Sequence, residues 1–270
     1  GQHSAGLHTT CRRPSRYHHR MTDDLFRQDA YLRECSAHIT AVTEAGIVLD
    51  RTVFYPLGGG QAGDSGVLVL ADGTEIAIAD TRKGKDAEGN ATNNIVHVPA
   101  PGQEALLAAL APGTTVTARI DWERRHRMMR LHTTSHLLCR VVPQLVNGCS
   151  ITPDYARLDF AMTDPLDKEQ LTAAIAAMVA AAHPLTVASI SDEELDANPA
   201  LVKSMSVQPP RGTGRIRTIR IGGEGDAPLI DLQPCGGTHV ANTAEIGAIV
   251  VTKIEKKSAT TRRVVLGFAP

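Results

Sequence analysis

Two short stretches, His132-Thr-Thr-Ser-His136 and Cys235-Gly-Gly-Thr-His239, lie far apart in the chain and together carry three imidazoles and one thiol. If they serve one purpose, the fold has to bring them together, and no other feature of the sequence constrains the architecture as much. The i, i+4 spacing of His132 and His136 puts both rings on one face of a helix, where two nitrogens can converge on one ion. Cys235 and His239 share that spacing, beside glycines that let the backbone turn closely around a metal. A His-x-x-x-His pair alone is more often two hydrogen-bonded core histidines. The companion pair completes a CysHis3 set suited to zinc, assembled within a domain and not in a compact finger. Thr133 stands where a His-Glu-x-x-His metalloprotease carries its general base, which argues against a peptidase.

A chain of 270 residues with 42% hydrophobic content can bury two modest cores, and two domains are expected. No run approaches the roughly 18 apolar residues of a membrane span. Five cysteines without regular spacing point to a reducing compartment, with the cytoplasm as the expected location. The formal charge of -1 leaves any nucleic-acid contact to local basic patches. Residues 1–21 precede the fold: Gly1 to Arg20 is rich in His, Arg and Ser and lacks acids, as in a tag, a disordered extension or a targeting peptide.

Residues 22–120 read as a small β-barrel, with strands over Ile39 to Val42, Ile47 to Asp50, Thr52 to Tyr55, Val67 to Leu70, Glu75 to Ala79, Ile95 to Val98 and Thr115 to Ile120. Lys83 to Asn94 reads as a mobile surface loop and Gln103 to Ala109 as a helix. Within this region Gly58-Gly-Gly-Gln-Ala-Gly-Asp-Ser-Gly66 allows close approach by another backbone or by a phosphate, or forms a plain tight turn. No helix pattern follows it, so it is not a dinucleotide fingerprint, and no such cofactor is expected.

Residues 121–270 read as α+β. Asp121 caps a helix that runs to about Val142 and carries His132 and His136, and Pro143 stops it. A strand at Arg157 to Phe160 precedes an alanine-rich helix started by Asp164-Pro165. Strand Leu185 to Ile190 leads to a helix with a Ser191/Glu194 capping box. Arg211-Gly-Thr-Gly-Arg215 introduces strands Ile216 to Ile221 and Leu229 to Leu232. Strands Ile246 to Ile254 and Arg263 to Phe268 close the chain, joined by a basic turn from Lys256-Lys257 to Arg262. The fold class is therefore α+β: an N-terminal barrel, then a zinc-containing domain whose long helix packs on an antiparallel sheet.

In combination, Phe54-Tyr-Pro-Leu-Gly-Gly-Gly-Gln-Ala-Gly-Asp-Ser-Gly66, His132-x3-His136-Leu-Leu and Cys235-Gly-Gly-Thr-His239 resemble the AlaX family, free-standing relatives of the alanyl-tRNA synthetase editing domain. The match runs over about residues 22–266 in family order. The glycine-rich barrel motif corresponds to the medium-length type. The resemblance implies a zinc-dependent hydrolase that deacylates mischarged tRNA(Ala), chiefly with serine and secondarily with glycine, and so guards translation fidelity. It also implies zinc on His132, His136, Cys235 and His239. Ser135 replaces the Thr usual in the synthetase version. Where that version has a glutamine, this chain offers Asn147 and Gly148.

On that reading Thr133, Thr134 and Ser135 are the candidate hydroxyls for recognising a serine side chain. Arg124, Arg125, Arg127 and Arg130, with Lys253, Lys256, Lys257, Arg262 and Arg263, are candidate phosphate contacts, although single charges of this kind are usually a solvated face. Gly58, Gly59, Gly60, Gln61 and Asp64 are candidates to meet the acceptor end, so that Gln61→Ala should lower activity without releasing zinc. Cys139 reads as a core-packing thiol, and Cys35 and Cys149 as ordinary buried or partly exposed thiols. A catalytically inactive, zinc-stabilised tRNA-binding module and a zinc hydrolase of another small ester or amide are the alternatives.

Overall fold

The computed structural model describes residues 22–203 and 214–270. The N-terminal extension and residues 211–213 of the Arg/Gly stretch lie outside the described residues. The described chain enters through β1 (Asp23–Asp24) and a short helix α1 (Leu25–Gln28). Alternation of polar and apolar residues then gives β2 (Glu34–Val42), followed by β3 (Ile47–Leu49) and β4 (Arg51–Thr52), which pairs with β1 in parallel. β5 (Gly66–Val69), β6 (Glu75–Lys85), β7 (Ala91–Pro99), helix α2 (Glu104–Ala108) and β8 (Thr115–Ile120) come next. Six strands close a barrel in the order β2-β3-β7-β6-β5-β8 around Ile39, Leu49, Phe54, Leu68, Ile76 and Val116.

Two expectations change in the barrel. Phe54 and Tyr55 leave the sheet because side chains take their amides: Thr52 Oγ1 accepts from Phe54 N at 3.0 Å and Asp64 Oδ2 accepts from Tyr55 N at 2.7 Å. Lys83 to Asn94 is no loose loop but the end of a hairpin, paired out to Lys85 and Ala91. Its polar tip is closed by Asp86, whose carboxylate accepts from the amides of Glu88 and Asn90.

Beyond the barrel, Asp121 accepts from Arg124 N at 3.2 Å and starts α3 (Trp122–Val141). The chain continues through β9 (Val146–Ile151), β10 (Tyr155–Ala161), α4 (Lys168–Ala180), β11 (Leu185–Ile190), α5 (Asp192–Ala197), β12 (Ile216–Gly222), β13 (Leu229–Pro234), β14 (Ile249–Ser258) and β15 (Thr261–Phe268). A four-stranded antiparallel sheet runs β14-β15-β10-β9, and a three-stranded one runs β11-β12-β13. α3 touches both sheets and α4, so its ligand-bearing stretch is enclosed: His132 to Cys139 is buried throughout. This is the α+β class expected, with barrel and antiparallel sheets. Among the described residues no helix is long and apolar enough to cross a membrane.

Several boundaries move. β9 was not anticipated, because Asn147-Gly148 interrupts its apolar pattern. α4 starts at Lys168, where Asp167 accepts from Gln170 N at 2.9 Å, and not at Asp164-Pro165. Asn242 caps a 3-10 turn at Thr243–Ile246, which delays β14 to Ile249. Lys256 and Lys257 lie inside β14 and not in its turn. The Ser191/Glu194 capping box is present. The glycine-rich loop leaves the barrel and pairs with the last residue of β9: Ile151 N donates to Gly60 O at 2.7 Å and Ala62 N to Ile151 O at 2.9 Å.

Candidate metal centre

His132, His136, Cys235 and His239 converge, with one potential ligand atom from each within 4.8 Å of the others. α3 supplies two of them, and the loop after β13 supplies the others. Cys235 Sγ is 3.3 Å from His239 Nε2 and 3.6 Å from His132 Nε2. The three ring centroids stand 4.3–5.2 Å apart.

Two of the three imidazoles are hydrogen-bonded from behind, and the third faces a carboxylate. Gln61 Oε1 accepts from His132 Nδ1 at 2.7 Å, and Thr133 Oγ1 lies 3.0 Å from His239 Nδ1. Asp231 Oδ2 lies 3.6 Å from His136 Nδ1, which has no closer partner. A hydrogen bond on Nδ1 fixes the tautomer that leaves Nε2 as the donor to a metal. Asp231 is itself buried, tied to Lys203 Nζ and Gln233 Nε2 at 2.7 Å each. Burial holds the His136 imidazole down at about 3 and the other two rings well below their ordinary value, so all three stay neutral, as a metal ligand requires. The same burial pushes the Cys235 thiol up to about 11, a penalty that a bound cation reverses.

His132, His136 and Cys235 form part of the wall of a cavity of about 600 Å³, which also includes Tyr55, Gly58 and Gly59 from the barrel side and Ser135, Cys139 and Cys149 from the other. The thiols of Cys139 and Cys149 therefore border the site as well as pack; Cys35 belongs to the barrel. Of the three candidate hydroxyls only Ser135 lines the cavity. Thr133 is consumed by His239 and by Val240 N, while Thr134 Oγ1 donates back to Arg130 O at 2.7 Å. Asn147 bonds Thr261 Oγ1 and, like Gly148, lies outside the cavity wall.

The glycine-rich motif does something other than expected. Gln61 is fully buried, accepting from His132 and Thr238 N and donating to Thr238 Oγ1 at 2.8 Å, so its amide is turned to the metal ligands and the ligand loop and not to solvent. Asp64 is buried against Arg125, which is 0% exposed and also donates to the carbonyls of Ala30 and Val53. Neither Asp64 nor Arg125 can meet tRNA. Other basic candidates are also occupied: Arg124 on Gly63 O, Arg127 on Pro153 O, Arg130 on Ile246 O and Arg262 on Thr163 O. Arg263 pairs with Asp159, while Lys253 and Lys257 pair with Glu255. Lys256 is exposed on β14 and, like Lys257, stands apart from the cavity wall. Sequence reasoning missed Gln61, Thr133 and Asp231 as ligand holders, and Arg27, Lys83 and Arg217 as cavity cations. No local signal marks them.

Residues 216–265 match the family described as the threonyl and alanyl tRNA synthetase second additional domain, and residues 16–124 match class II (A) tRNA synthetases. The chain is 32% identical over 254 residues to the alanyl-tRNA editing protein AlaX-M of Saccharolobus solfataricus, covering 93% of this chain and 100% of that one. It is 32% identical to the AlaX-M of Methanosarcina acetivorans, over 90% of this chain and 97% of that relative. An alanine–tRNA ligase from Metallosphaera sedula is 34% identical over 87% of this chain, a match that takes up 25% of the ligase.

Proposed function

The chain belongs to the AlaX-M family of alanyl-tRNA editing proteins, and from that premise we propose that it hydrolyses the aminoacyl ester of tRNA(Ala) mischarged with serine, and with glycine as a second substrate. One observation carries the reading: three members of the four-residue cluster, His132, His136 and Cys235, line a cavity of nucleoside size shared between the barrel and the α+β part.

We assign the metal as zinc. The separations of 3.3 and 3.6 Å between Sγ and Nε2 are close to the roughly 3.5 Å that tetrahedral Zn–N and Zn–S bonds imply. When bound, the ion supplies Lewis-acid polarisation and a fixed point for a polar group. The residues of the chain do the rest. Ser135 Oγ donates to Leu131 O at 2.9 Å, which leaves its oxygen to accept from a substrate hydroxyl in the cavity. Alanine leaves that acceptor unpaired, and a second hydrolytic site of this kind corrects errors that a pocket built for a small side chain cannot exclude. Gly58 and Gly59 offer close backbone approach to the terminal nucleotide, and exposed Lys256 and Lys257 are more distant phosphate contacts.

Deacylation of Ser-tRNA(Ala) beside Ala-tRNA(Ala), with zinc quantified and with His132→Ala as the ligand-deficient variant, tests this reading. Release of serine alone, lost with the ligand, is the expected result. A complete set of four protein ligands also favours a purely structural ion. Retained tRNA binding with no release from zinc-loaded protein would establish that binding-module alternative instead.

A further inference from the structure

Arg27, Lys83 and Arg217 come from α1, β6 and β12 and all line the metal cavity. Two of them flank the ligand loop. Arg217 Nη1 donates to Cys235 O at 2.7 Å and Gly237 O at 3.0 Å, and Arg27 Nη2 would stand 3.7 Å from a Cβ on Gly236. Lys83 reaches in from the barrel hairpin, its Nζ 3.7 Å from where a Cβ on Gly58 would lie.

The three differ in what balances their charge. Arg27 pairs with Asp24, and Asp23, also on the wall, is bonded to Gln28. Among the described residues Lys83 has no hydrogen-bond or ion-pair partner, and the buried Arg217 Nε has none either. The other cavity cations are tied down, Lys203 by Asp231 and Arg215 by Ser189 and Glu194. Partial desolvation at the cavity wall lowers the proton affinity of Lys83, and the charge of Arg27 lowers it further. Like charges gathered in a partly dry cavity repel one another unless an anion sits among them.

We propose that Arg27, Lys83 and Arg217 form an anion subsite that takes the phosphodiester preceding the terminal adenosine of the tRNA. This rests on the deacylase reading. The aminoacyl ester offers no anion of its own, since its carboxylate is esterified and its amine is cationic. The backbone phosphate is the neighbouring negative group. Its capture would place the ribose ester in the cavity and turn the ammonium group away from the three cations.

Lys83 is exposed, so replacing it leaves the fold intact and makes it the residue to test. Zinc-loaded full-length protein and its Lys83→Gln and Lys83→Arg variants would be compared on Ser-tRNA(Ala) across a salt series. Lys83→Gln should raise KM by about 5–10-fold with kcat within about twofold and make the salt dependence of kcat/KM shallower by about one, while Lys83→Arg restores both. Calorimetric binding of adenosine 5'-monophosphate against adenosine gives a readout independent of turnover. The wild type should prefer the nucleotide by about 10-fold, and Lys83→Gln should lose that preference. If the wild type deacylates but Lys83→Gln matches it in KM, salt slope and nucleotide preference, the subsite is overturned and the editing reading stands. Nucleotide preference lost in Lys83→Gln, with no deacylation by the wild type, supports the subsite and overturns the editing reading.

Discussion

Gln61 and His132, 71 positions apart in the chain, share a buried hydrogen bond of 2.7 Å that runs from the imidazole Nδ1 to the amide oxygen. A loop of the barrel thus decides which nitrogen of a helix-borne histidine faces the metal position.

Gln61→Ala should therefore weaken metal retention, by about 10–100-fold in competition with a chelator, where the sequence alone suggested that metal would stay. Gln61→Glu keeps the acceptor and should lose less. Equal metal affinity in Gln61→Ala and the wild type would show that His132 is oriented by its helix alone.

The paired glycines of the ligand loop should respond oppositely to a methyl group. A Cβ on Gly237 would lie 2.3 Å from His132 Cε1 and 2.8 Å from Gln61 Oε1, whereas at Gly236 its nearest contact is Arg27 Nη2 at 3.7 Å. Gly237→Ala should be isolated with little bound metal and Gly236→Ala with a full complement, as measured by metal stoichiometry on purified protein.

Breaking the Arg125–Asp64 pair should cost stability and not tRNA affinity. Both side chains are buried, and the guanidinium also serves Ala30 O and Val53 O. Arg125→Met or Asp64→Asn is expected to lose about 3–5 kcal/mol in urea unfolding. The salt dependence of tRNA binding by whatever fraction stays folded should match the wild type.

Acid should loosen the barrel through His97. This fully buried ring sits between Thr52 Oγ1 and Ile47 O, each at 2.8 Å, and burial depresses its pKa to about 4. A histidine depressed in the folded state stabilises above the unfolded value near 6.5, and that contribution is lost as pH falls toward 4. The loss amounts to roughly 3 kcal/mol. Unfolding midpoints between pH 7 and 4.5 should fall less steeply in His97→Gln than in the wild type, although His97→Gln starts lower.

What the sequence made legible follows short-range rules. The i, i+4 histidines, the Asp121 cap and the Ser191/Glu194 box each depend on residues within a turn or two, and each is where the spacing put it. The glycine-rich motif was visible as a place of close approach, but what approaches was not. Its neighbours are Cys149, Ile151 and Thr238, brought by β9 and by the ligand loop. The arginines of α3 looked like a basic face because a helix sequence shows its charges and not the carbonyls and carboxylates that take them up. Thr133 and Thr134, adjacent in sequence, part company for the same reason: one meets a ligand from a distant loop and the other turns back on its own helix.

The loop paired with the end of β9 has one more consequence. β9 ends its sheet, and an uncovered end strand is a template on which another copy of the chain can add. Gly60 and Ala62 occupy the edge N–H and C=O of Ile151, the last residue of β9, from within the same molecule, and only a residue without a side chain fits at Gly60, where a Cβ would lie 2.5 Å from Cys149 Sγ. The motif should therefore blunt that end of the strand as well as hold His132, and damage to it should surface as precipitation on concentration.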